Sequence, residues 1–174
     1  MINMQFDMPA RLNQSFFNRH TVDVAQDLIG KILVVNGIHS IITETESYRG
    51  KDDPASHAFN ATARSQIMFG SPGFTYVYMI YGMHFCLNFI TEKAGLPGAV
   101  LIRGARLTNS PYDNLNGPGK LCRYFNITKA LHNIDVTMND NIYVCDSDIK
   151  YEIQSTPRIG ITKGQDKLWR FIAT

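Results

Sequence analysis

The pair Asn36-Gly37 separates two runs of β-forming residues, 31–35 and 38–48. Asparagine and glycine tolerate the positive backbone angles that a two-residue hairpin turn requires, so this pair strongly favours a tight antiparallel hairpin. Five further runs have the same β-rich character and are predicted strands: 74–80, 83–91, 99–107, 141–145 and 149–154. Strands that follow one another so closely along the chain predict a largely antiparallel sheet.

Short helices complete the predicted fold. Thr21 can cap a helix that ends at Gly30, and Pro118 can open a helix that reaches about Phe125. Segments rich in small polar residues, proline or glycine are predicted loops: 51–70 and 108–119. We therefore predict an α+β fold, with residues 1–174 in a single compact domain that has a mixed, mostly antiparallel sheet and a few short helices.

The bulk composition excludes several classes of protein. No apolar run reaches the ~18 residues that a membrane span needs, and residues 1–11 lack the pattern of a signal peptide. Cys86, Cys122 and Cys145 are widely spaced and form neither a metal-binding pattern nor a disulfide framework. This cysteine usage predicts a reducing cytoplasm. The formal net charge of +2 does not by itself indicate a nucleic-acid partner.

The second strand of the predicted hairpin carries residues that suit a hydrolytic site. Glu44, Glu46 and Tyr48 alternate along it and share one face, and the following loop can return His57 towards them. Glutamates on a strand face are often merely solvated. However, a carboxylate that is shielded from water beside an arginine such as Arg103 can deprotonate a water molecule. Glu46 is the better candidate because it lies beside Tyr48 and nearer the loop.

Aromatic residues suggest that the ligand of this site is flat. Tyr48 and Tyr78 could sandwich a nucleobase with His57 at its edge, although residues 76–80 also fit a simple half-buried strand. Tyr81 precedes a glycine at a predicted chain reversal. An aromatic side chain at such a tip exposes apolar surface, and insertion between DNA base pairs would explain it.

The apolar run that follows contains one side-chain amide, Asn88. If it is buried, it either forms hydrogen bonds with the backbone or borders the base pocket. Met83, His84 and Cys86 favour core packing. No HxH or HExxH spacing indicates a metal, and the motifs place no lysine as a Schiff-base nucleophile, so neither a cofactor nor a lyase step is predicted.

Eight stretches, taken in order, form a recognisable set: Leu28-Ile29-Gly30-Lys31, Glu44-Thr45-Glu46-Ser47-Tyr48, Asp53-Pro54-Ala55-Ser56-His57, Met68-Phe69-Gly70-Ser71-Pro72-Gly73, Tyr76-Val77-Tyr78 through Asn88, Val100-Leu101-Ile102-Arg103, Gly117-Pro118-Gly119-Lys120-Leu121-Cys122 and Pro157-Arg158-Ile159-Gly160-Ile161. This ordered set resembles the alkyladenine (3-methyladenine) DNA glycosylase family in its short bacterial form. The resemblance covers roughly residues 15–172. It implies the family fold, a compact domain with a curved antiparallel core.

The resemblance also implies catalytic roles. Glu46 would be the general base that activates the attacking water, and Arg103 would help to hold that water. Backbone around residues 159–161 would also lie close to it.

For the base, the resemblance implies a pocket walled by Tyr48, His57 and Tyr78. Asn88 would oppose the exocyclic amino group of guanine. Tyr81 would be the wedge that replaces the flipped nucleotide in the stack.

The implied function is a monofunctional DNA N-glycosylase that excises alkylated or deaminated purines by water attack at C1′, without metal or cofactor. Its partner would be double-stranded DNA containing damaged purines, with no membrane, and we expect a monomer. Two other readings stay open. A non-catalytic nucleic-acid-binding domain would bind DNA without releasing a base, and a hydrolase of small nucleosides would not need Tyr81 at an exposed turn.

Overall fold

A curled antiparallel sheet forms the framework of the protein. The computed structural model describes residues 9–110 and 114–174, and within them every strand pairing is antiparallel. The strands are β1 (Ile32–Val35), β2 (Ile38–Tyr48), β3 (Thr75–Ile80), β4 (His84–Ile90), β5 (Ala99–Leu107), β6 (Asn114–Asn116), β7 (Ile142–Cys145), β8 (Ile153–Thr156) and β9 (Arg170–Ala173). The predicted α+β fold with a mostly antiparallel sheet in one compact domain is confirmed.

The order of the main strands is β3-β4-β5-β2-β1-β7, with β6 on β5 and with β9 bridging β2 and β8. The predicted hairpin joins β1 to β2 through Val35 and Ile38. Asn36 and Gly37 have φ angles of 49° and 77°, as a two-residue turn with both central residues left-handed requires. The long strand β2 pairs with β1 near its start and with β9 near its end. This second pairing brings the C-terminal strand beside the predicted catalytic segment.

Helices are few and short, as predicted. They are α1 (Gln14–Phe17), α2 (Thr21–Asp27) and α3 (Pro118–Tyr124), with 3₁₀ turns at Ala63–Phe69 and Lys129–Leu131. Among the described residues, no helix is long and apolar enough to cross a membrane.

Some predicted details are wrong. Thr21 is the first residue of α2 rather than its cap, and its amide and hydroxyl both donate hydrogen bonds to Glu92. A 3₁₀ turn interrupts the predicted loop 51–70, and β8 starts later than the predicted strand 149–154. Residues 111–113 of the predicted loop 108–119, and residues 1–8 of the N-terminal segment, lie outside the described residues.

An irregularity in β2 decides which side chains face the site. The pairing of β2 with β5 shifts register on both sides of Glu44. Strict alternation would put the Ile42 side chain on the same face of the sheet as Glu44 and Glu46. Ile42 is instead fully buried in the larger apolar cluster, on the opposite face of the sheet. The bulge resets the alternation. Gly104 lies opposite, and a methyl group there would meet the Glu44 Cβ at 3.1 Å, so the absence of a side chain leaves room for it.

Two apolar clusters lie on opposite faces of the sheet. Val77 and Val100 belong to the main core, which α2 and α3 also cover. Their neighbours Tyr76 and Ala99 point the other way, into a smaller cluster against which Tyr48 and Tyr78 pack. This second face carries the candidate site.

Candidate active site

A cavity of about 380 Å³ opens on the second face of the sheet. It is bounded by the β3–β4 hairpin, the start of α3 and the loop that contains Ile159. Six of the seven predicted site residues line it: Tyr48, His57, Tyr78, Tyr81, Asn88 and Arg103. The structure therefore brings these side chains together, and the seventh, Glu46, lies directly behind the wall they form.

Three rings build the aromatic part of the wall. The His57 and Tyr78 rings are 4.8 Å apart in an edge-to-face arrangement, and the Tyr76 ring lies 5.0 Å from Tyr78. His57 Nδ1 is 2.9 Å from the Tyr76 hydroxyl. Although part of the His57 side chain is open to solvent, burial of the ring lowers its pKa, with a smaller contribution from the charge of Arg64. His57 is therefore favoured as a neutral imidazole at the edge of the cavity.

Tyr76 was assigned to a half-buried strand from sequence, and its contact with His57 was missed. It is 2% exposed, as that assignment expects, but it also lines the cavity. Strand alternation could have placed Tyr76 in the site, because Tyr76 and Tyr78 are two residues apart on a strand and share a face.

The Glu46 carboxylate is fully buried. The Ile159 amide donates a hydrogen bond of 2.8 Å to Oε1, and the Tyr48 hydroxyl donates one of 2.7 Å to Oε2. Arg103 Nε lies 3.6 Å from Oε1. Burial raises the pKa of Glu46 above its usual value, against the lowering effects of Arg103 and these two donors. A carboxylate with a raised pKa beside a cavity is suited to accept a proton.

Tyr48 links the carboxylate to the base-binding wall. Burial, followed by the charge of Glu46, raises the pKa of its hydroxyl, so the proton stays on Tyr48 and the hydrogen bond to Glu46 is maintained. The reading of Glu44 and Glu46 as solvated charges is wrong. Glu46 has no exposed surface, and the Glu44 side chain is 15% exposed between two arginines.

A buried ion pair supports this wall from behind. Asp53 and Arg158 form two hydrogen bonds of 2.7 Å, and neither side chain has exposed surface. Arg158 also donates to the Ser47 carbonyl, and its guanidinium lies 4.7 Å from the centre of the Tyr48 ring. The pair therefore joins the loop after β2 to the segment that supplies the Ile159 amide. The sequence alone does not predict this ion pair, because Asp53 and Arg158 are far apart along the chain.

Tyr81 occupies the tip of the β3–β4 hairpin, as predicted. Its side chain is 86% exposed, and its φ of 51° with 67° at Gly82 gives a left-handed turn. Met83, beside it, is 69% exposed, so the predicted core position of Met83 is wrong. The tip presents a pair of apolar side chains to solvent at the mouth of the cavity.

Asn88 bonds to the backbone and also lines the cavity, and its role in a base pocket stays a prediction. It is 2% exposed, its amide nitrogen donates to the Tyr76 carbonyl at 3.1 Å, and it lines the cavity. The hydrogen bond to the strand fixes the orientation of a side chain that also faces the pocket.

Within residues 9–110 and 114–174, no three His, Cys, Asp or Glu side chains are grouped to hold a metal ion. The three cysteines are free and buried. Burial raises the pKa of Cys86, which lines the cavity, to about 11, so this thiol stays protonated.

An aromatic slot with a buried carboxylate behind it is the kind of site that can hold a flat ring and hydrolyse its bond to a sugar. A family model described as methylpurine-DNA glycosylase (MPG) matches residues 15–174. The chain belongs to this family. It is a DNA glycosylase, a hydrolase of N-glycosidic bonds.

Curated relatives agree with the family match. The chain is 49% identical to a protein of Ehrlichia ruminantium (strain Welgevonden) over 92% of this chain and 88% of that protein. It is 51% identical to one of Ehrlichia chaffeensis (strain ATCC CRL-10679 / Arkansas), over 92% of both chains. It is also 51% identical to one of Rickettsia felis (strain ATCC VR-1525 / URRWXCal2), over 94% of this chain and 93% of that protein. Each is named "Putative 3-methyladenine DNA glycosylase".

We expect Arg158→Met to lower the free energy of unfolding by about 3–5 kcal/mol, because it leaves the Asp53 carboxylate buried without its cation. Urea unfolding followed by circular dichroism measures this. Asp140→Asn is the control: it breaks the exposed pair between Arg11 and Asp140 and should cost at most about 1 kcal/mol. Equal losses in the two variants would contradict a structural role for the buried pair.

Proposed function

We propose that the protein is a monofunctional DNA N-glycosylase that flips out and excises alkylated or deaminated purines, of the 3-methyladenine, 7-methylguanine and hypoxanthine class, and so initiates base excision repair. The observation that carries this proposal is the buried Glu46 carboxylate beside Arg103, directly behind an aromatic cavity. We further propose that residues 1–174 form one glycosylase domain that acts as a monomer. Three free cysteines support a reducing cytoplasm as its location.

Recognition of the base rests on the ring geometry. A purine that enters the cavity meets Tyr48, Tyr78 and the edge of His57. Stacking contributes roughly 1–3 kcal/mol per base. Alkylation at a ring nitrogen places positive charge on the purine, and a cation over an aromatic face gains further stabilisation. The same charge weakens the glycosidic bond, so such lesions are both better held and easier to release.

Access to the base requires the nucleotide to leave the duplex. We propose that Tyr81 enters the gap that a flipped nucleotide leaves, and its exposed position at the hairpin tip beside the cavity supports this role. An inserted ring offsets part of the unstacking, which costs about a few kcal/mol per step.

In the chemical step, Glu46 accepts a proton from a water molecule whose oxygen attacks C1′ of the sugar. The C1′–N bond breaks, and its electron pair leaves with the base. A cationic purine thereby departs neutral, and an abasic site remains. Neutral substrates such as hypoxanthine need additional help for the leaving group. None of the described residues that line the cavity is a lysine, which supports a hydrolytic mechanism without a Schiff base.

The direct test is incubation with duplex DNA that carries one alkylated adenine, followed by chromatography of the released bases. Release of free base without strand cleavage is the expected result. A non-catalytic DNA-binding domain would bind the duplex and release nothing. A nucleoside hydrolase would act on free nucleosides faster than on the same base in duplex DNA.

We expect Glu46→Gln to lower the single-turnover rate of base release by ~10²–10⁴-fold, because an amide keeps the shape of the acid but accepts no proton. Binding to abasic-site DNA should stay close to that of the wild type, which serves as the control. A near-wild-type rate would require another base. Glu44 and Asp53 are poorly placed for it, since arginines already occupy their carboxylates.

Tyr81→Ala should slow release of a lesion in a stable base pair by roughly 10–100-fold, because a few kcal/mol of unstacking are no longer offset. The same lesion in a mismatch or a bulge should be affected much less. Leu96→Ala is the control, since Leu96 is 56% exposed but does not line the cavity. Equal losses on paired and mispaired substrates would remove the wedge role from Tyr81.

Asn88→Ser should raise release of guanine and 7-methylguanine relative to alkylated adenine. We propose that Asn88 opposes the 2-amino group that guanine has and adenine lacks, and such repulsion can set specificity. The melting temperature and the guanine-to-adenine product ratio are measured together. A lower melting temperature with an unchanged ratio would reduce Asn88 to its hydrogen bond with Tyr76.

A further inference from the structure

The Glu44 carboxylate is shared between two arginines from different strands. Arg103 Nε on β5 donates to its Oε1 at 3.0 Å, and Arg170 Nε on β9 donates to the same oxygen at 2.6 Å. All three side chains are largely buried, with 14–20% of their surface exposed. Glu44 thus lies where two cations converge, two residues before Glu46 on the same strand.

Arg103 has two carboxylates within reach, and their distances differ. Its Nε is 3.0 Å from Glu44 but 3.6 Å from Glu46, so the hydrogen bond goes to Glu44 and Glu46 receives only the electrostatic attraction. The bulge at Glu44 permits this arrangement, because it sets the position of Glu44 against β5 independently of the residues before it.

We propose that Glu44 is a positioning residue that draws the Arg103 guanidinium off Glu46 and leaves the Glu46 carboxylate free to receive a proton from water. This inference rests on the proposed function of Glu46. Without a charge at residue 44, Glu46 becomes the nearest carboxylate to Arg103. A direct ion pair then occupies the oxygen that faces Arg103, and it holds Glu46 in its ionised form.

The charged groups around Glu46 decide the direction in which its pKa shifts when the Glu44 charge is lost. Glu44 raises the pKa of Glu46, whereas Arg103 lowers it. Loss of the Glu44 charge therefore removes a raising influence and strengthens a lowering one. Each element packed against Glu46 contributes a further titratable or charged group. These groups are Tyr48 on β2, Tyr78 on β3, Cys86 on β4, Arg158 in the loop before β9 and Arg170 on β9.

The test compares the pH dependence of single-turnover base release in the wild type and in Glu44→Gln. Release falls as the pH drops through the pKa of Glu46. In Glu44→Gln we expect this acidic limb to move to lower pH by about one unit, the smaller end of the effect of an opposite charge. The plateau rate should fall at least about tenfold, because a weaker and occupied base removes the proton less efficiently. Glu44→Asp, which keeps the charge, should restore most of the wild-type limb.

Asp140→Asn is the matched control, because it also removes a carboxylate that pairs with an arginine, but at an exposed position. Its acidic limb should coincide with that of the wild type. A Glu44→Gln limb that does not move, or that moves to higher pH, overturns the proposal, even if stability and rate both fall. If Glu44→Gln does not fold, Glu44→Gln combined with Arg170→Gln, which also removes one of the two cations left without a partner, replaces it and is compared with Arg170→Gln alone. An acidic limb at the same or a higher pH in the double variant then overturns the proposal.

A carboxyl-carbon NMR titration of Glu46 in the same variants gives a second measurement, which does not depend on activity. A lower pKa in Glu44→Gln supports the proposal, and an equal or higher pKa overturns it. If the wild type releases no base, the proposed function fails, whereas the NMR titration still tests whether the pKa of Glu46 falls when the Glu44 charge is removed.

Discussion

Burial of carboxylates organises this protein, because a carboxylate taken out of water costs several kcal/mol unless donors replace the solvent. Glu46 receives the Ile159 amide and the Tyr48 hydroxyl, and Asp53 receives both ends of the Arg158 guanidinium. Each acid has a donor from a distant part of the chain, the Ile159 amide for Glu46 and Arg158 for Asp53. Satisfying the acids therefore fixes how the loops meet, and the shape of the cavity follows from that.

In the proposed mechanism, base binding and the chemical step use different elements that meet at Tyr48. The β3–β4 hairpin supplies Tyr76, Tyr78 and the exposed tip, and the loop after β2 supplies His57, whereas β2 supplies Glu46. Tyr48 belongs to both, since its ring forms part of the wall and its hydroxyl donates to Glu46. A base that displaces the Tyr48 ring would also disturb the carboxylate. Under the proposed function, the position of the bound purine and the position of the Glu46 carboxylate are therefore coupled through Tyr48.

Local signals made much of the fold predictable. The hairpin at Asn36-Gly37 and the reversal at Tyr81 depend on backbone conformations that a few neighbouring residues decide, and both turns form as predicted. From Glu44 to Tyr48 the residues of β2 alternate as predicted, so Glu46 and Tyr48 share a face. The bulge at Glu44 was not predictable, because it arises from the register with β5. The partners of Asp53 and Glu44, Arg158 and Arg170, were missed because they lie more than a hundred residues further along the chain.

The position of β9 has a consequence for synthesis on the ribosome. Strand β2 is translated early, but Arg158, the Ile159 amide and Arg170 follow it by more than a hundred residues. At common elongation rates the interval between residues 46 and 170 is roughly 6–25 s. Once residue 90 has been made, a nascent chain can complete the β3–β4 hairpin, yet Glu46 still lacks the Ile159 amide. In the proposed mechanism, hydrolytic competence is thus acquired only after residues 158–170 have packed beside β2, later than the β3–β4 hairpin that would help to hold a base.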